Sequence, residues 1–188
     1  MTISLIRHGR TEANIMRLYC GNTDVDLSGD GVNELNELKK TIVYPNAGVY
    51  AASGLKRAVQ TLNILYDEPK HFLIPDLMEY NFGDFEMKTH EELENLQSYR
   101  DWIESETVRC PNGESRKEFN SRVVKGLNKL KTISDDGRLS VACVCHGGVI
   151  AVLMESLFPG KRGFYEWRPG FGRGYAIRFG VNIEYSEI

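Results

Sequence analysis

Short apolar runs that give way to helical patterns recur along the chain. Three of these runs have the length of buried strands, and they lie at residues 3–6, 49–52 and 141–144. Apolar residues at helical spacing occupy four other segments, at residues 28–40, 58–65, 115–130 and 149–158. The alternation predicts an α/β fold: a three-layer α/β/α sandwich with a mainly parallel central sheet.

The remaining segments predict smaller additions to that sheet. Residues 84–114 are interpreted as a small helical lid inserted into a single domain that spans residues 1–188, because the segment is too short to enclose a core of its own. Within this lid, the acidic stretch 90–106 has apolar residues at helical spacing. Near the C-terminus, residues 174–179 and 181–185 predict two short strands at one end of the sheet.

Composition and charge exclude several classes of protein. The 188 residues include 23 Lys and Arg against 26 Asp and Glu, and no long basic run offers a surface for nucleic acid. Apolar stretches are interrupted well before the roughly 20 residues that a membrane span requires. The first residues lead directly into a strand without the pattern of a signal peptide, so we expect a cytoplasmic protein.

The four cysteines are expected to be free thiols, because the chain shows no export signal. Cys143 and Cys145 precede His146, which suggests a metal site at first sight. Residues 140–145, however, resemble a buried strand, whose alternating side chains are expected to keep the two sulfurs apart. The sequence therefore predicts neither a metal site nor a cofactor.

Two arginines and two histidines follow the predicted strands. Arg7 and His8 come after the first strand, Arg57 after the second and His146 after the third. Because ligands bind beyond the carboxyl ends of parallel strands, these side chains are expected to share one pocket. Arginine offers a planar fork of donors to phosphate oxygens, whereas histidine serves as a nucleophile or a hydrogen-bond donor near neutral pH.

Glycines beside the histidines strengthen the prediction of a phosphate site. Gly9 follows His8, and Gly147 and Gly148 follow His146. Such residues let the backbone approach a ligand closely and leave amides free at the start of the next helix.

Six ordered motifs resemble those of the histidine phosphatase, or phosphoglycerate mutase-like, superfamily. The motifs span residues 5–14 (LIRHGRTEAN), 21–28 (GNTDVDLS), 52–61 (ASGLKRAVQT), 77–86 (LMEYNFGDFE), 111–115 (PNGES) and 145–150 (CHGGVI). Because they cover nearly the whole chain in the family's order, the resemblance is far more specific than any single motif.

The resemblance implies roles for most of these residues. His8 is the expected nucleophile and Glu79 the proton donor, although Glu86 lies nearby as a second carboxylate. Arg7, Arg57 and His146 are expected to balance the charge of the phosphoryl group. Further hydrogen bonds to substrate are expected from a second set of residues: Asn14 and the backbone amides of Gly21 and Gly147.

Departures from the family pattern leave some contacts open. Arg10 stands where many relatives have Glu, so it either adds positive charge to the pocket or is solvated. Tyr99 and Trp102 either contact substrate or pack within the lid. Lys161, Arg162, Arg168 and Arg173 are interpreted as scattered solvated charge, with a partner surface or the pocket mouth as alternatives.

The expected activity is hydrolysis of a small phosphate ester through a phosphohistidine. A compact lid and the Gly-Glu-Ser turn resemble phosphatases with broad specificity and those that act on α-ribazole phosphate. A phosphoglycerate mutase is the alternative, although such relatives carry adjacent arginines in a longer lid and this chain has no Arg-Arg pair. A catalytically silent phosphoanion-binding protein is a third possibility, since a fold alone does not establish activity.

Overall fold

The structure is a computed structural model that describes residues 1–188. Its six strands form one sheet: β1 (Thr2–Arg7), β2 (Val49–Ala52), β3 (His71–Leu73), β4 (Val141–Cys145), β5 (Gly174–Phe179) and β6 (Ile183–Glu187). Their order in the sheet is β3-β2-β4-β1-β5-β6. The first four strands are parallel to one another, β5 is antiparallel to β1, and β6 is antiparallel to β5. The predicted mainly parallel sheet is confirmed.

Helices cover both faces of this sheet. They are α1 (Glu12–Ile15), α2 (Gly29–Thr41), α3 (Lys56–Tyr66), α4 (His90–Leu93), α5 (Gln97–Glu104), α6 (Arg116–Ile133) and α7 (Gly147–Leu157), with 3₁₀ turns at Pro75–Leu77, Gly83–Phe85 and Phe164–Trp167. Apolar side chains of α6 and α7 pack with Ile3 and Leu5 of β1, whereas those of α2 and α3 pack with Ile6. Successive strand residues face opposite sides, so β1 contributes to both cores. The predicted three-layer sandwich is confirmed.

Strand pairing brings the predicted site residues to one edge of the sheet. Arg7, the last residue of β1, is in register with Cys145, the last residue of β4. Beyond that pair, the backbone amide of His8 donates to the carbonyl of Cys145 at 3.0 Å. The amide of Ser53, which follows β2, donates to the carbonyl of Val144 at 3.1 Å. Parallel pairing therefore directs three distant segments into the same space.

The argument that separated Cys143 from Cys145 is wrong. Residues two apart on a strand face the same side, and both sulfurs lie in the core under α6 and α7. Burial raises the pKa of the Cys145 thiol well above its usual value, so the group stays protonated. All four cysteines are free, and no three His, Cys, Asp or Glu residues are grouped to hold a metal ion.

The predicted lid differs from the expectation in its helix. A single helix over residues 90–106 does not form, because the chain breaks into α4 and α5. Tyr99 and Trp102 are buried, and the indole of Trp102 donates to the hydroxyl of Tyr80 at 2.7 Å. The hydroxyl of Tyr99 lies 2.7 Å from Nδ1 of His90. These two aromatic residues therefore pack within the protein, which agrees with the predicted alternative of packing within the lid rather than with an exposed surface for substrate.

The C-terminal strands agree closely with the sequence. β5 has the predicted bounds, and β6 begins two residues later than expected and ends two residues later. No helix in the structure has both the length and the apolar character needed to cross a membrane.

Candidate active site

His8 lies at the floor of the site with one ring nitrogen already engaged. The residue is only 5% exposed, and its Nδ1 lies 2.6 Å from the carbonyl oxygen of Gly9. Because a carbonyl can only accept, Nδ1 carries the proton and Nε2 carries the lone pair. Burial, followed by the positive charge of Arg57, lowers the pKa of His8 well below its usual value. The ring is therefore a neutral imidazole that can act as a nucleophile through Nε2.

His146 faces His8 across the site. The two ring centroids are 5.1 Å apart, and the His146 side chain is fully buried. Its Nε2 lies 2.7 Å from Oγ of Ser53, whereas its Nδ1 is buried with no partner in the chain. Burial and the charge of Arg57 lower the pKa of His146 well below its usual value. An unpartnered buried nitrogen is rare in proteins and indicates a position that a ligand satisfies.

Arg57 is a buried cation in the first turn of α3. It is 1% exposed and donates to the carbonyl of Gly21 at 2.7 Å and to that of Thr23 at 2.9 Å. A side chain at Gly21 would lie 1.6 Å from the carbonyl oxygen of Tyr80, so only glycine fits. The amide of Gly21 donates to the carboxylate of Glu86 at 2.9 Å. The predicted contact of this amide with substrate is therefore corrected: Gly21 positions Arg57 instead.

Arg7 combines a fixed guanidinium with a free donor. Its Nη1 donates to the carbonyl of Pro169 at 2.8 Å, and its guanidinium lies 3.9 Å from the ring centroid of Phe171. Nε of Arg7 is buried with no partner in the chain. Burial and the charge of Arg168 lower the pKa of Arg7 to about 10, which leaves it cationic at neutral pH.

Glu79 lies beside the first turn of α7, the helix that begins directly after His146. One carboxylate oxygen accepts from the amide of Tyr80 at 3.0 Å and the other from the amide of Gly148 at 3.0 Å. Glu86 has a different environment, because its carboxylate accepts from the amides of four residues: Gly21, Asn22, Thr23 and Phe82. Glu86 thus holds two loops together, and Glu79 is the carboxylate near the histidines.

The backbone around Glu79 is held by an ion pair between two residues that lie outside the segment 77–86. Arg122 of α6 contacts the carboxylate of Glu114 through Nη2 at 2.6 Å and through Nε at 3.2 Å. The same guanidinium donates to three backbone carbonyls at 2.9–3.1 Å, those of Asp76, Met78 and Glu79. Glu114 also accepts from the amide of Asn81 at 2.9 Å. This pair therefore fixes the acidic segment on both sides of Glu79.

A sequence model described as the histidine phosphatase superfamily (branch 1) matches residues 3–170. The chain belongs to the histidine phosphatase superfamily. It is 34% identical to the adenosylcobalamin/α-ribazole phosphatase of Salmonella typhimurium over 163 residues, which cover 84% of this chain and 79% of that protein. Its fold is similar to that of the α-ribazole phosphatase from Shigella flexneri, with a TM-score of 0.84, 28% identity, and coverage of 97% of this chain and 93% of that one.

Mutases are also among the relatives of this histidine phosphatase. A 2,3-bisphosphoglycerate-dependent phosphoglycerate mutase of Cytophaga hutchinsonii is 31% identical over 163 residues, which cover 81% of this chain and 75% of that protein. The predicted family and the prediction of a phosphatase-type enzyme are confirmed by the family match and the phosphatase relatives.

Three further predicted residues of this histidine phosphatase differ in how far their polar groups are already engaged within the chain. The Asn14 amide oxygen accepts from the amide and hydroxyl of Thr11 in a capping box, and its Nδ2 makes no hydrogen bond within the chain. Gly147 is the first residue of α7, so its amide has no partner inside the helix. Arg10 is 42% exposed and is paired with Glu34 at 3.3 Å. It lies at the rim, with its charge already matched.

Sequence reasoning missed four residues that the histidine phosphatase places at or behind this site. They are Ser53, Arg122, Arg168 and Phe171. Ser53 lies within a motif, and Arg168 belongs to the basic group interpreted as scattered charge, with the pocket mouth as an alternative. Nothing in the sequence marked Arg122, which lies on α6, on the face of the sheet opposite to α3.

Proposed function

We propose that this protein is a metal-independent phosphomonoesterase that hydrolyses a small phosphorylated metabolite through a phosphohistidine at His8. The observation that supports it most directly is the state of His8: a buried neutral ring whose Nδ1 proton is fixed on Gly9, which leaves Nε2 as the nucleophile. A carboxylate, that of Glu79, accepts from the amide of Gly148, two residues after His146.

The reaction proceeds in two displacements. In the first, Nε2 of His8 attacks phosphorus in line, the bond between phosphorus and the leaving oxygen breaks, and the carboxylic acid of Glu79 protonates that oxygen. In the second, water attacks the phosphohistidine while the Glu79 carboxylate accepts its proton. The bond between phosphorus and Nε2 then breaks, which restores His8 and releases orthophosphate.

Charge on the phosphoryl group is balanced by donors that have no other partner. Nε of Arg7 and Nδ1 of His146 are buried and unpartnered, and Arg57 adds a buried cation. For His146 to donate through Nδ1 as a neutral ring, the hydroxyl of Ser53 donates to its Nε2. Preorganised donors of this kind supply most of the catalysis in phosphoryl transfer.

The names of the relatives suggest two candidate substrates. Phosphatases named for α-ribazole are similar to this chain both in sequence and in fold, so α-ribazole phosphate is our first candidate. A mutase relative makes phosphoryl return to a sugar-acid phosphate the second candidate. Residues 84–114 contain no adjacent arginines of the kind expected in a mutase. Their absence favours a phosphatase over a mutase that acts on a sugar-acid phosphate.

The experiment measures phosphate release from p-nitrophenyl phosphate and α-ribazole 5′-phosphate in the presence of a chelator. We expect release by the wild type, loss of more than about a thousandfold in His8→Ala because the nucleophile is absent, and no change in His71→Ala, a histidine on β3 away from the site. Trapping of ³²P on the protein after acid-free denaturation identifies the phosphohistidine.

Two outcomes contradict the proposal. One is full activity in His8→Ala, and the other is an absence of release from a broad panel of phosphomonoesters. Incubation with 3-phosphoglycerate and its bisphosphate primer separates the alternatives, because a mutase gives the isomeric monophosphate and a phosphatase gives free phosphate.

A further inference from the structure

Residues 167–173, which we call the strap, begin at the last residue of the final 3₁₀ turn and run along the edge of the site. Trp167 is fully buried at its start, and the carbonyl of Pro169 accepts from Nη1 of Arg7 at 2.8 Å. Farther along, the amide of Gly172 donates to the carbonyl of Arg7 at 3.0 Å. Arg168 is therefore held on both sides, by a buried ring before it and by a hydrogen bond to the site after it.

The Arg168 side chain extends toward the start of α7. A Cβ atom built on Gly147 would lie 3.3 Å from Nε of Arg168 and 3.1 Å from Nε of Arg7. The two guanidinium groups thus approach the same residue, which follows His146 directly. The charge of Arg168 is also felt inside the site, since it lowers the pKa of both Arg7 and His8.

No carboxylate of the chain forms an ion pair with Arg168 or with Arg7. Other arginines near this region differ: Arg10 is paired with Glu34, and Arg162 with Glu187. Two neighbouring cations repel each other, and at Arg7 the charge of Glu79 offsets part of that repulsion. An anion that binds between the two guanidinium groups relieves the repulsion further. Nε of Arg7 and Nδ1 of His146 are both buried and unpartnered, which leaves two donors free for such an anion.

We propose that Arg168 is a third arginine of the phosphate site and binds the phosphoryl dianion from the exposed side of the pocket. The inference rests on the proposed function, and it adds a contact from a segment that lies outside the six motifs. Arg57 is buried and Arg168 is exposed, so the dianion is held by a cation on the floor and another at the mouth. The ligand class is a phosphomonoester or orthophosphate.

Calorimetric titration with inorganic phosphate tests this contact without any turnover. We expect Arg168→Ala to weaken phosphate binding about tenfold, the loss of one charge-assisted hydrogen bond partly screened by solvent, and Arg168→Lys to recover part of it. Arg173→Ala is the matched control, because Arg173 is an exposed arginine of the same strap whose side chain lies beside Gly170. Its phosphate affinity is expected to equal that of the wild type.

Steady-state kinetics with p-nitrophenyl phosphate give the second measurement. In Arg168→Ala we expect KM to rise in parallel with the phosphate dissociation constant, with thermal unfolding unchanged because the side chain is exposed. Equal phosphate affinity in Arg168→Ala and Arg173→Ala, or no phosphate binding by the wild type, overturns the inference. If Arg168→Ala alone weakens phosphate binding but the wild type hydrolyses no phosphomonoester, the Arg168 contact stands and the proposed hydrolase activity falls.

Discussion

The two halves of the candidate site are built by different means. The half proposed to bind phosphate consists of His8, Arg57 and His146. These residues follow strands that pair with one another, and all three side chains are buried. The half proposed to transfer the proton is Glu79, which lies in an irregular segment whose backbone is held by Arg122 rather than by a strand ladder. Regular elements thus fix the groups that match charge, whereas the position of the acid depends on a few side-chain contacts. Substitutions should therefore affect the two halves separately.

Glu79→Gln is expected to have the largest effect and to affect proton transfer alone. Loss of the acid should slow release of an alkyl alcohol from its phosphate by about 10²–10⁴-fold, whereas nitrophenolate leaves without a proton. Because Glu79 also deprotonates water, p-nitrophenyl phosphate should give a rapid burst and then slow turnover in stopped-flow measurements. Inorganic phosphate should bind as in the wild type. Equal slowing of both first steps would show that Glu79 is not the acid.

Arg122→Leu should reproduce that pattern from behind the site. The change leaves the carboxylate of Glu114, 11% exposed, without its cation and three carbonyls without a donor. We expect a loss of about 2–4 kcal/mol in the free energy of unfolding by urea, as for other partly buried ion pairs broken on one side. Activity on an alkyl phosphate should fall about a hundredfold through displacement of Glu79, within the range for loss of a general acid.

The control for Arg122→Leu is phosphate affinity, which should change little because Arg122 lies behind Glu79. Arg122→Lys should restore part of the stability but not the forked contact with Glu114. A parallel loss of phosphate binding in Arg122→Leu would mean that the two halves are coupled and would remove the distinction drawn between them.

Adjacent glycines at the start of α7 offer a matched pair of smaller changes. A Cβ on Gly148 would lie 2.5 Å from Oε1 of Glu79, whereas a Cβ on Gly147 would lie 3.1 Å from Nε of Arg7. Gly148→Ala should therefore lower kcat for an alkyl phosphate about tenfold, the equivalent of one lost hydrogen bond, and leave phosphate binding intact. Gly147→Ala should weaken phosphate binding by about threefold with little change in kcat for the same substrate. The opposite assignment of the two effects would contradict the geometry.

The two buried histidines should make the stability of the fold depend on pH. Among these predictions, this one involves the smallest change in activity. His8 and His146 have pKa values lowered well below 6.5, so the folded protein keeps both rings neutral while the unfolded chain takes up protons near 6.5. The contribution of the two histidines to the free energy of unfolding should therefore be fully present above that pH. It should decline as the pH falls, by up to about 1.4 kcal/mol per pH unit for each proton.

Activity should follow a different course over the same range. Because the nucleophile stays neutral, kcat/KM for p-nitrophenyl phosphate should change by less than about threefold between pH 7 and pH 6. Urea titrations and histidine ring resonances measured across that range check both statements. Titration of the His8 ring at 6.5 in the folded protein would remove the basis for the neutral nucleophile.

The elements that the sequence predicted best are those whose pattern is local. Buried apolar runs located β1, β2 and β4, and the turn after each run located the arginines and histidines. The three-residue strand β3 was missed, because His71–Leu73 is too short to show a pattern. A helix was predicted over residues 90–106, but its interruption between α4 and α5 was not. The packing of Tyr99 and Trp102, which a helical pattern alone does not show, accompanies that interruption.

Contacts that depend on tertiary packing could not be predicted. The amide of Gly21 was expected to meet substrate, yet Glu86, far along the chain, takes it. Arg122 carries no local sign of its role, since its partners are carbonyls brought beside α6 only when the turn at Pro75–Leu77 packs there. A single sequence shows which groups are suited to phosphate, but the residues that hold them in place emerge from the packing.

Pairing of β1 with β4 also has a consequence for how the molecule folds. His8, the proposed nucleophile, comes from the first ten residues and His146 from the last quarter of the chain, and the two meet through a parallel ladder. Long-range parallel pairing closes a large loop and is slow to form. Recovered activity during refolding should therefore lag behind recovered helix signal, and it reports the moment at which the two ends of the chain come together.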